Sequence, residues 1–160
     1  MEFNDRAHIL SNLTDSRHPL LDSLNHYETG GYCGISLGLQ AASTMLLGSA
    51  RTGTTTRQMI MLITDGEQSR FFGGDRFAIV TAQAIKRLGT TIVSVGFDRA
   101  KVATLRAIAT EPDEANSFFS SDLDLVKSYL AETCTIVNSP RSPPPPSAPP
   151  SPLRPLNGPL

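Results

Sequence analysis

The chain has 160 residues, and its 14 lysines and arginines against 15 aspartates and glutamates give no electrostatic reason to expect nucleic acid or an anionic membrane as the partner. This length has room for one ordinary domain; no stretch approaches the roughly 18 apolar residues of a membrane span, and no signal peptide is visible. The two cysteines, Cys33 and Cys134, are too few for a disulfide framework or a structural zinc site, so folding depends on a hydrophobic core.

The N-terminal part of the chain predicts a hairpin followed by two helices. Glu2-Phe3 and Ala7-His-Ile9 are the predicted strands of the hairpin. Apolar residues then recur at helical spacing in a short run and in a longer one. The two runs are Leu20, Leu21 and Leu24, then Ile35, Leu39, Ala42 and Leu46.

The central part alternates strands and helices. Met59-Ile-Met-Leu-Ile63 is a continuous apolar run that ends at Thr64-Asp65-Gly66, which predicts a central strand buried on both faces. A helix between Asp75 and Gly89 is predicted to bury one face, and a β-branched strand and another helix follow it. The residues concerned are Phe77, Thr81, Ala84 and Leu88 for the first helix, Thr91 to Phe97 for the strand, and Val102, Leu105 and Ala109 for the second helix.

The last elements are a short strand at Asn116-Ser-Phe-Phe119 and a helix that opens with the capping box Ser121-x-x-Asp124 and ends near Cys134. Strands separated by helices predict an α/β fold with a Rossmann-like, doubly wound, mainly parallel sheet and helices on both faces. Ligands of such folds gather at the carboxyl ends of the strands. Asp65 is therefore the first site candidate; its alternative role is that of an exposed turn residue that caps Gly66.

A change of composition divides the chain. Ten of the twelve prolines lie from Pro140 onward, and proline fixes φ and lacks a backbone donor. We therefore predict a folded domain over residues 1–136 and a proline-rich, disordered tail over 137–160, as extended polyproline II or coil.

The order of these segments resembles the later part of a von Willebrand factor type A (vWA) domain. Met59-Ile-Met-Leu-Ile-Thr-Asp-Gly66 carries the resemblance, which extends back through Gly30-Gly-Tyr-Cys-Gly-Ile-Ser-Leu-Gly-Leu39 to a second strand and turn at Phe3–Ala7. It covers residues 1 to about 134. It implies a domain truncated at the N-terminus, because the first strand and its Asp-x-Ser-x-Ser loop are missing.

The resemblance also implies a metal-ion-dependent adhesion site, in which aspartate and hydroxyl oxygens hold a hard cation, usually Mg²⁺, and an acidic side chain of a protein ligand completes the coordination. Asp65 matches the aspartate of the third loop. Cys33 stands at the threonine position of the second loop, and Ser36 is the nearest hydroxyl. Since thiol is a poor magnesium ligand, Mg²⁺ binding is expected to be weak or absent. The neighbouring residues expected to contact a ligand are Gly34, Gly66 and Glu67.

The absence of a first strand would leave two unpaired strand edges. Three explanations stay open: the true start lies upstream, a partner supplies a strand, or the reading frame is a decayed fragment. We favour the first.

The tail resembles the hydroxyproline-rich linkers of plant and green-algal wall glycoproteins, which implies an extracellular or cell-wall protein with a glycosylated tail. A cytoplasmic ligand of SH3 or WW domains is the alternative, because Arg141 stands beside Pro143–Pro146. Asn12-Leu-Thr14 also fits an N-glycosylation acceptor, which is used only in a secreted chain.

These observations favour a non-catalytic protein-binding or adhesion module with an incomplete metal site. One alternative is a structural wall or matrix protein in which the tail is the working element. The other is a Rossmann-like hydrolase that uses Asp65 as nucleophile or base, for which no acid or base partner can be placed.

Overall fold

The structure, a computed structural model, describes residues 1–14, 16–24, 31–49 and 57–119. The predicted helix from Ser121 to Cys134 and the proline-rich tail lie outside these ranges. The elements in chain order are β1 (Glu2–Phe3), β2 (Ala7–His8), α1 (Arg17–Leu24), α2 (Ile35–Leu47), β3 (Met59–Thr64), a 3-10 turn (Arg70–Phe72), α3 (Gly74–Arg87), β4 (Thr91–Gly96), α4 (Val102–Ile108), α5 (Asp113–Asn116) and β5 (Ser117–Phe119).

The main sheet is parallel, as predicted, and its described strands follow the order β3-β4-β5. Met59 faces Thr91 in register and Thr64 faces Gly96, so β3 and β4 end at the same edge of the sheet. β1 and β2 form the predicted antiparallel hairpin as a separate two-stranded sheet. The architecture is α/β, with helices packed on a parallel sheet.

The prediction that β3 is central is wrong for the described part of the chain, in which β4 holds the central position. Burial alternates along β3, and Ile63 is 57% exposed. The N–H groups of Thr91 and Phe97 donate to the carbonyls of Gln58 and Thr64. Every second residue along β3 directs its N–H and C=O groups toward β4. The residues between them direct these groups toward the other edge, where no described strand pairs. An apolar run indicates burial but does not indicate which side lacks a neighbour.

The hydrophobic core joins β3 and β4 to α2, α3 and α4. The helix of α3 was predicted correctly, but of the four residues assigned to its buried face only Thr81 is buried. Phe77, Ala84 and Leu88 are exposed, and the helix buries another face instead. That buried face consists of Ala78, Thr81, Ala82 and Ile85. Two alanines without long side chains allow the helix to approach its neighbours closely, which outweighs the burial of Phe77.

The hairpin packs on α2. A Cβ added at Gly38 would lie 2.7 Å from the ring of Phe3, so only glycine allows this approach of strand to helix. Both β1 and β3 contact α2, although they belong to different sheets. The helix therefore connects the hairpin to the main sheet. None of the described helices has the length and apolar character that crossing a membrane requires.

Candidate functional site

Asp65 lies directly after β3, at the edge of the sheet where the parallel strands end. Its carbonyl accepts a hydrogen bond of 3.1 Å from the N–H of Arg99, and the preceding carbonyl of Thr64 accepts one of 2.9 Å from Phe97. The backbone of Asp65 is thus fixed to the loop that follows β4. Its side chain is exposed and forms no ion pair with any other described residue. A carboxylate fixed by its backbone and open to solvent is available to a ligand.

Thr64 connects this edge to the loop that precedes α2, a role that the sequence pattern did not reveal. Its Oγ1 atom accepts a hydrogen bond of 3.3 Å from the N–H of Gly66 and lies 3.7 Å from Cys33 Sγ. Burial raises the pKa of the Cys33 thiol above its ordinary value of 9.0, and the negative charge of Asp65 adds to this, against the opposing effect of the Thr64 hydrogen bond. Cys33 is therefore a neutral thiol at neutral pH.

Ser36 is fully buried, and its polar groups bond to Gln68. The side chain of Gln68 accepts from the N–H of Ser36 at 3.1 Å and donates to the Ser36 hydroxyl at 2.8 Å. The same amide donates to the carbonyl of Phe72 at 2.8 Å. Gln68 therefore joins the start of α2 to the loop after β3. Sequence reasoning missed this role because a lone glutamine in a loop is usually solvated.

The three residues expected to contact a ligand have different surroundings. At Gly34 an added Cβ would lie 2.5 Å from the carbonyl oxygen of Asn4, so this glycine allows the hairpin turn to approach the α2 loop. Gly66 forms the turn bonded to Thr64. Glu67 forms an ion pair with Lys101 at 2.6 Å, and Lys101 also lies 3.0 Å from Asp75. The pKa of Lys101 is raised, first by its hydrogen bond to Glu67 and to a smaller extent by the one to Asp75.

Two aromatic side chains stack on the surface beside these loops. The ring centroids of Tyr32 and Phe71 are 6.1 Å apart with an interplanar angle of 20°, and Phe72 contacts Phe71 edge-on at 5.2 Å. Phe71 is 80% exposed and Tyr32 is 63% exposed. Sequence reasoning missed this pair, since the two residues are far apart in the chain.

The donors at this edge do not fit a magnesium site by themselves. Asp65 offers a free carboxylate, but the Ser36 hydroxyl is buried against Gln68, and Cys33 is a thiol. Within the described ranges no three His, Cys, Asp or Glu side chains are grouped closely enough to hold an ion. A hard divalent cation takes six or more oxygen ligands, so further oxygen donors would be needed.

The family model of the von Willebrand factor type A domain matches residues 1–132. The chain belongs to this family. The fold of a parallel sheet with helices and the position of Asp65 at the strand ends agree with that membership. Comparison with curated proteins gave no match.

Solved structures share the fold at low identity. Proximal thread matrix protein 1 of the mussel byssus, solved with a zinc-occupied metal-ion-dependent adhesion site, has a TM-score of 0.62 and 20% identity over 84% of this chain and 33% of its own. The pilus adhesin SpaC of Lactobacillus rhamnosus GG, in an open conformation, has a TM-score of 0.55 and 14% identity over 77% of this chain and 21% of its own. The vWA domain of SpRpn10 has a TM-score of 0.58 and 18% identity over 78% of this chain and 67% of its own. The chain thus spans about a third or less of the first two proteins.

Proposed function

We propose that this vWA domain is a non-catalytic protein-binding module of adhesion type, and that its recognition surface is the sheet edge around Asp65. The observation that carries the proposal is the exposed carboxylate of Asp65 on a backbone held between the end of β3 and the loop after β4. Gly66 and Glu67 border the same surface as contact residues, whereas Gly34 is buried beneath it against Asn4. The mussel matrix protein and the pilus adhesin, which share the fold, support an adhesion role.

The electrostatics of the site favour binding over catalysis. A nucleophilic cysteine needs a lowered pKa, whereas the pKa of Cys33 is raised by burial and by the charge of Asp65. The carboxylate of Asp65 is exposed to water, and no other described residue forms an ion pair with it. The site therefore suits recognition of a partner through Asp65.

We further propose that the metal site of this chain is incomplete, with Asp65 as its remaining oxygen ligand and Cys33 and Ser36 at the second-loop positions. Binding of Mg²⁺ is accordingly weak or absent. The edge of β3 that no described strand pairs supports a route to completion: a strand added there in parallel would end beside Asp65 and bring the residues of its loop to the same edge. Titration calorimetry of the chain with Mg²⁺ is expected to give no binding tighter than about 1 mM. Micromolar affinity, lost in Asp65→Asn, would contradict this proposal.

We assign the binding domain to residues 1–136 and propose an extracellular or wall location with a glycosylated tail over 137–160. The proline-rich composition of the tail supports this, and Asn12 and Thr14 of the glycosylation tripeptide are exposed. Mass spectrometry of the protein secreted from a plant cell line is expected to show hydroxyproline and sugar on residues after Asn138. An unmodified tail would contradict the assignment.

The binding proposal is tested by capture of partners from an extracellular matrix extract on the immobilised chain. The test variant is Asp65→Asn, which removes the charge at nearly constant shape. The matched control is Glu114→Gln, an exposed carboxylate that precedes β5 and therefore lies toward the opposite end of the sheet. We expect Asp65→Asn to lose most of the bound protein and Glu114→Gln to retain it. Equal capture by both variants would contradict the proposal.

A further inference from the structure

The aromatic surface formed by Tyr32 and Phe71, which we call the aromatic pair, is held by a rigid loop. The N–H of Ser69 donates to the carbonyl of Cys33 at 2.8 Å, and the Ser69 hydroxyl accepts from the N–H of Phe71 at 3.2 Å. Gln68, itself only 4% exposed, bonds to the carbonyl of Phe72. The loop therefore holds Phe71 in place while leaving 80% of it exposed to water. Such exposure contributes nothing to the core, and a rigidly held exposed aromatic group is typical of binding surfaces.

The geometry of the aromatic pair suits a polyproline II ligand. Its centroids are 6.1 Å apart and its rings are nearly parallel. A polyproline II helix has three residues per turn and rises about 3.1 Å per residue, so prolines two positions apart lie about 6 Å apart along its axis and about 120° apart around it, on either side of a line of contact. Two such prolines can therefore pack on the two rings. Aromatic-lined surfaces are the usual binding sites of proline-rich segments, because these segments lose little entropy on binding.

An acidic residue borders the aromatic pair. The exposed carboxylate of Asp5, in the hairpin turn, accepts a hydrogen bond from the backbone N–H of Tyr32, and no other described residue forms an ion pair with it. Residues 139–160 of this chain carry two arginines, Arg141 and Arg154, and no acidic side chain. Only Ser142 separates Arg141 from Pro143–Pro146. A basic residue beside four prolines complements an acidic residue beside two aromatic rings.

We propose that the aromatic pair binds residues 141–146 of the same chain, with prolines on Tyr32 and Phe71 and Arg141 toward Asp5. The 21 residues between Phe119 and Arg141, residues 120–140, could span up to about 70 Å when extended, which is larger than the diameter of a domain of this size. A tethered ligand acts at an effective concentration of about millimolar, which favours the same chain over another copy. This inference does not depend on the proposed function at Asp65, and it applies to the chain whose prolines at positions 143–146 are unmodified.

The test is photo-cross-linking of the full chain with p-benzoylphenylalanine in place of Phe71. Because Phe71 is mostly exposed, the substitution should leave the fold intact. The matched control carries the same group in place of Leu88, which is 61% exposed at the C-terminal end of α3. Mass spectrometry is expected to map the Phe71 cross-links to the peptide that contains Pro143–Pro146, at a yield several-fold above that of the Leu88 control. Cross-links that avoid residues 139–160, or equal yields at both positions, would overturn the proposal.

Three further measurements define the occupant. Replacing the four prolines at positions 143–146 with alanine should abolish the excess cross-linking at Phe71. Asp5→Asn keeps the acceptor for Tyr32 but removes the charge, and should lower the yield in low salt only. Mixing ¹⁵N-labelled and unlabelled chains should give cross-links within one isotope; mixed-isotope products would overturn binding within the same chain. The Asp65→Asn chain should cross-link as well as the original, so failure here is distinguishable from failure of partner capture.

Discussion

The loops at the carboxyl edge of the sheet carry two groups of side chains, an inner half and an outer half, whose surroundings differ. Residues of the two groups alternate along the same segments. The inner half consists of Ser36, Thr64 and Gln68, which are buried and hydrogen-bonded to one another's loops. The outer half consists of Tyr32, Asp65 and Phe71, which are exposed on those same loops. Thr64 and Asp65 are adjacent in the chain, yet one fixes the loops and the other faces solvent. Stability and the proposed recognition therefore depend on different side chains of one segment and can be separated by substitution.

The largest effect is expected from Gln68→Ala in the inner half. The substitution leaves the N–H and hydroxyl of Ser36 buried without their partner, and such groups cost about 1–3 kcal/mol each. We expect the free energy of unfolding, measured by urea denaturation, to fall by about 2–4 kcal/mol. Gln40→Ala on the exposed side of α2 is the control and should change it by less than about 0.5 kcal/mol. Equal effects of the two substitutions would remove the distinction between the halves.

A smaller effect is expected from the titration of Cys33, which lies between the halves. Its folded pKa is raised above the unfolded value, so the folded state binds more protons than the unfolded state once the pH passes the ordinary thiol pKa of 9.0. Its contribution to stability is therefore complete below pH 9.0 and is lost as the pH rises through the folded pKa. The urea midpoint of the original chain minus that of Cys33→Ser should therefore decrease as the pH rises from 8 to 10. A shift in the opposite sense would show that the thiolate, and not the thiol, is the form favoured by folding.

Substitutions in the outer half should have little effect on stability. Phe71→Ser and Asp65→Asn change side chains that are exposed, and such changes are usually within about 0.5 kcal/mol. Urea denaturation of both variants should therefore overlay that of the original chain. A loss comparable to that of Gln68→Ala would place these residues among those that stabilise the loops.

The smallest effect is expected from Lys101→Met, which removes the ion pairs with Glu67 and Asp75. The ammonium group is exposed, so the pairs are screened by water and salt. Thermal unfolding should show a small decrease in Tm in low salt that disappears in about 1 M salt. A decrease that persists in high salt would indicate that Lys101 acts through packing.

The sequence was sufficient for most of the described elements and for the position of Asp65 at the end of β3, because an apolar run followed by Thr64-Asp65-Gly66 marks the end of a buried strand. It was not sufficient for orientation. The face of α3 was predicted from its largest apolar residues, whereas Ala78 and Ala82 determine which side packs closely. The central position was assigned to β3 from its composition, but pairing depends on the neighbours of a strand. Gln68 and the aromatic pair could not be predicted, since their partners are distant in the chain.

The central claim is that the Asp65 carboxylate binds a partner without supporting the fold. The most direct measurement combines capture of matrix proteins with urea denaturation on Asp65→Asn and on Gln68→Ala. Asp65→Asn is predicted to lose most of the captured protein at an unchanged free energy of unfolding. Gln68→Ala is predicted to have a lower free energy of unfolding. Undiminished capture by a stable Asp65→Asn chain would contradict the claim.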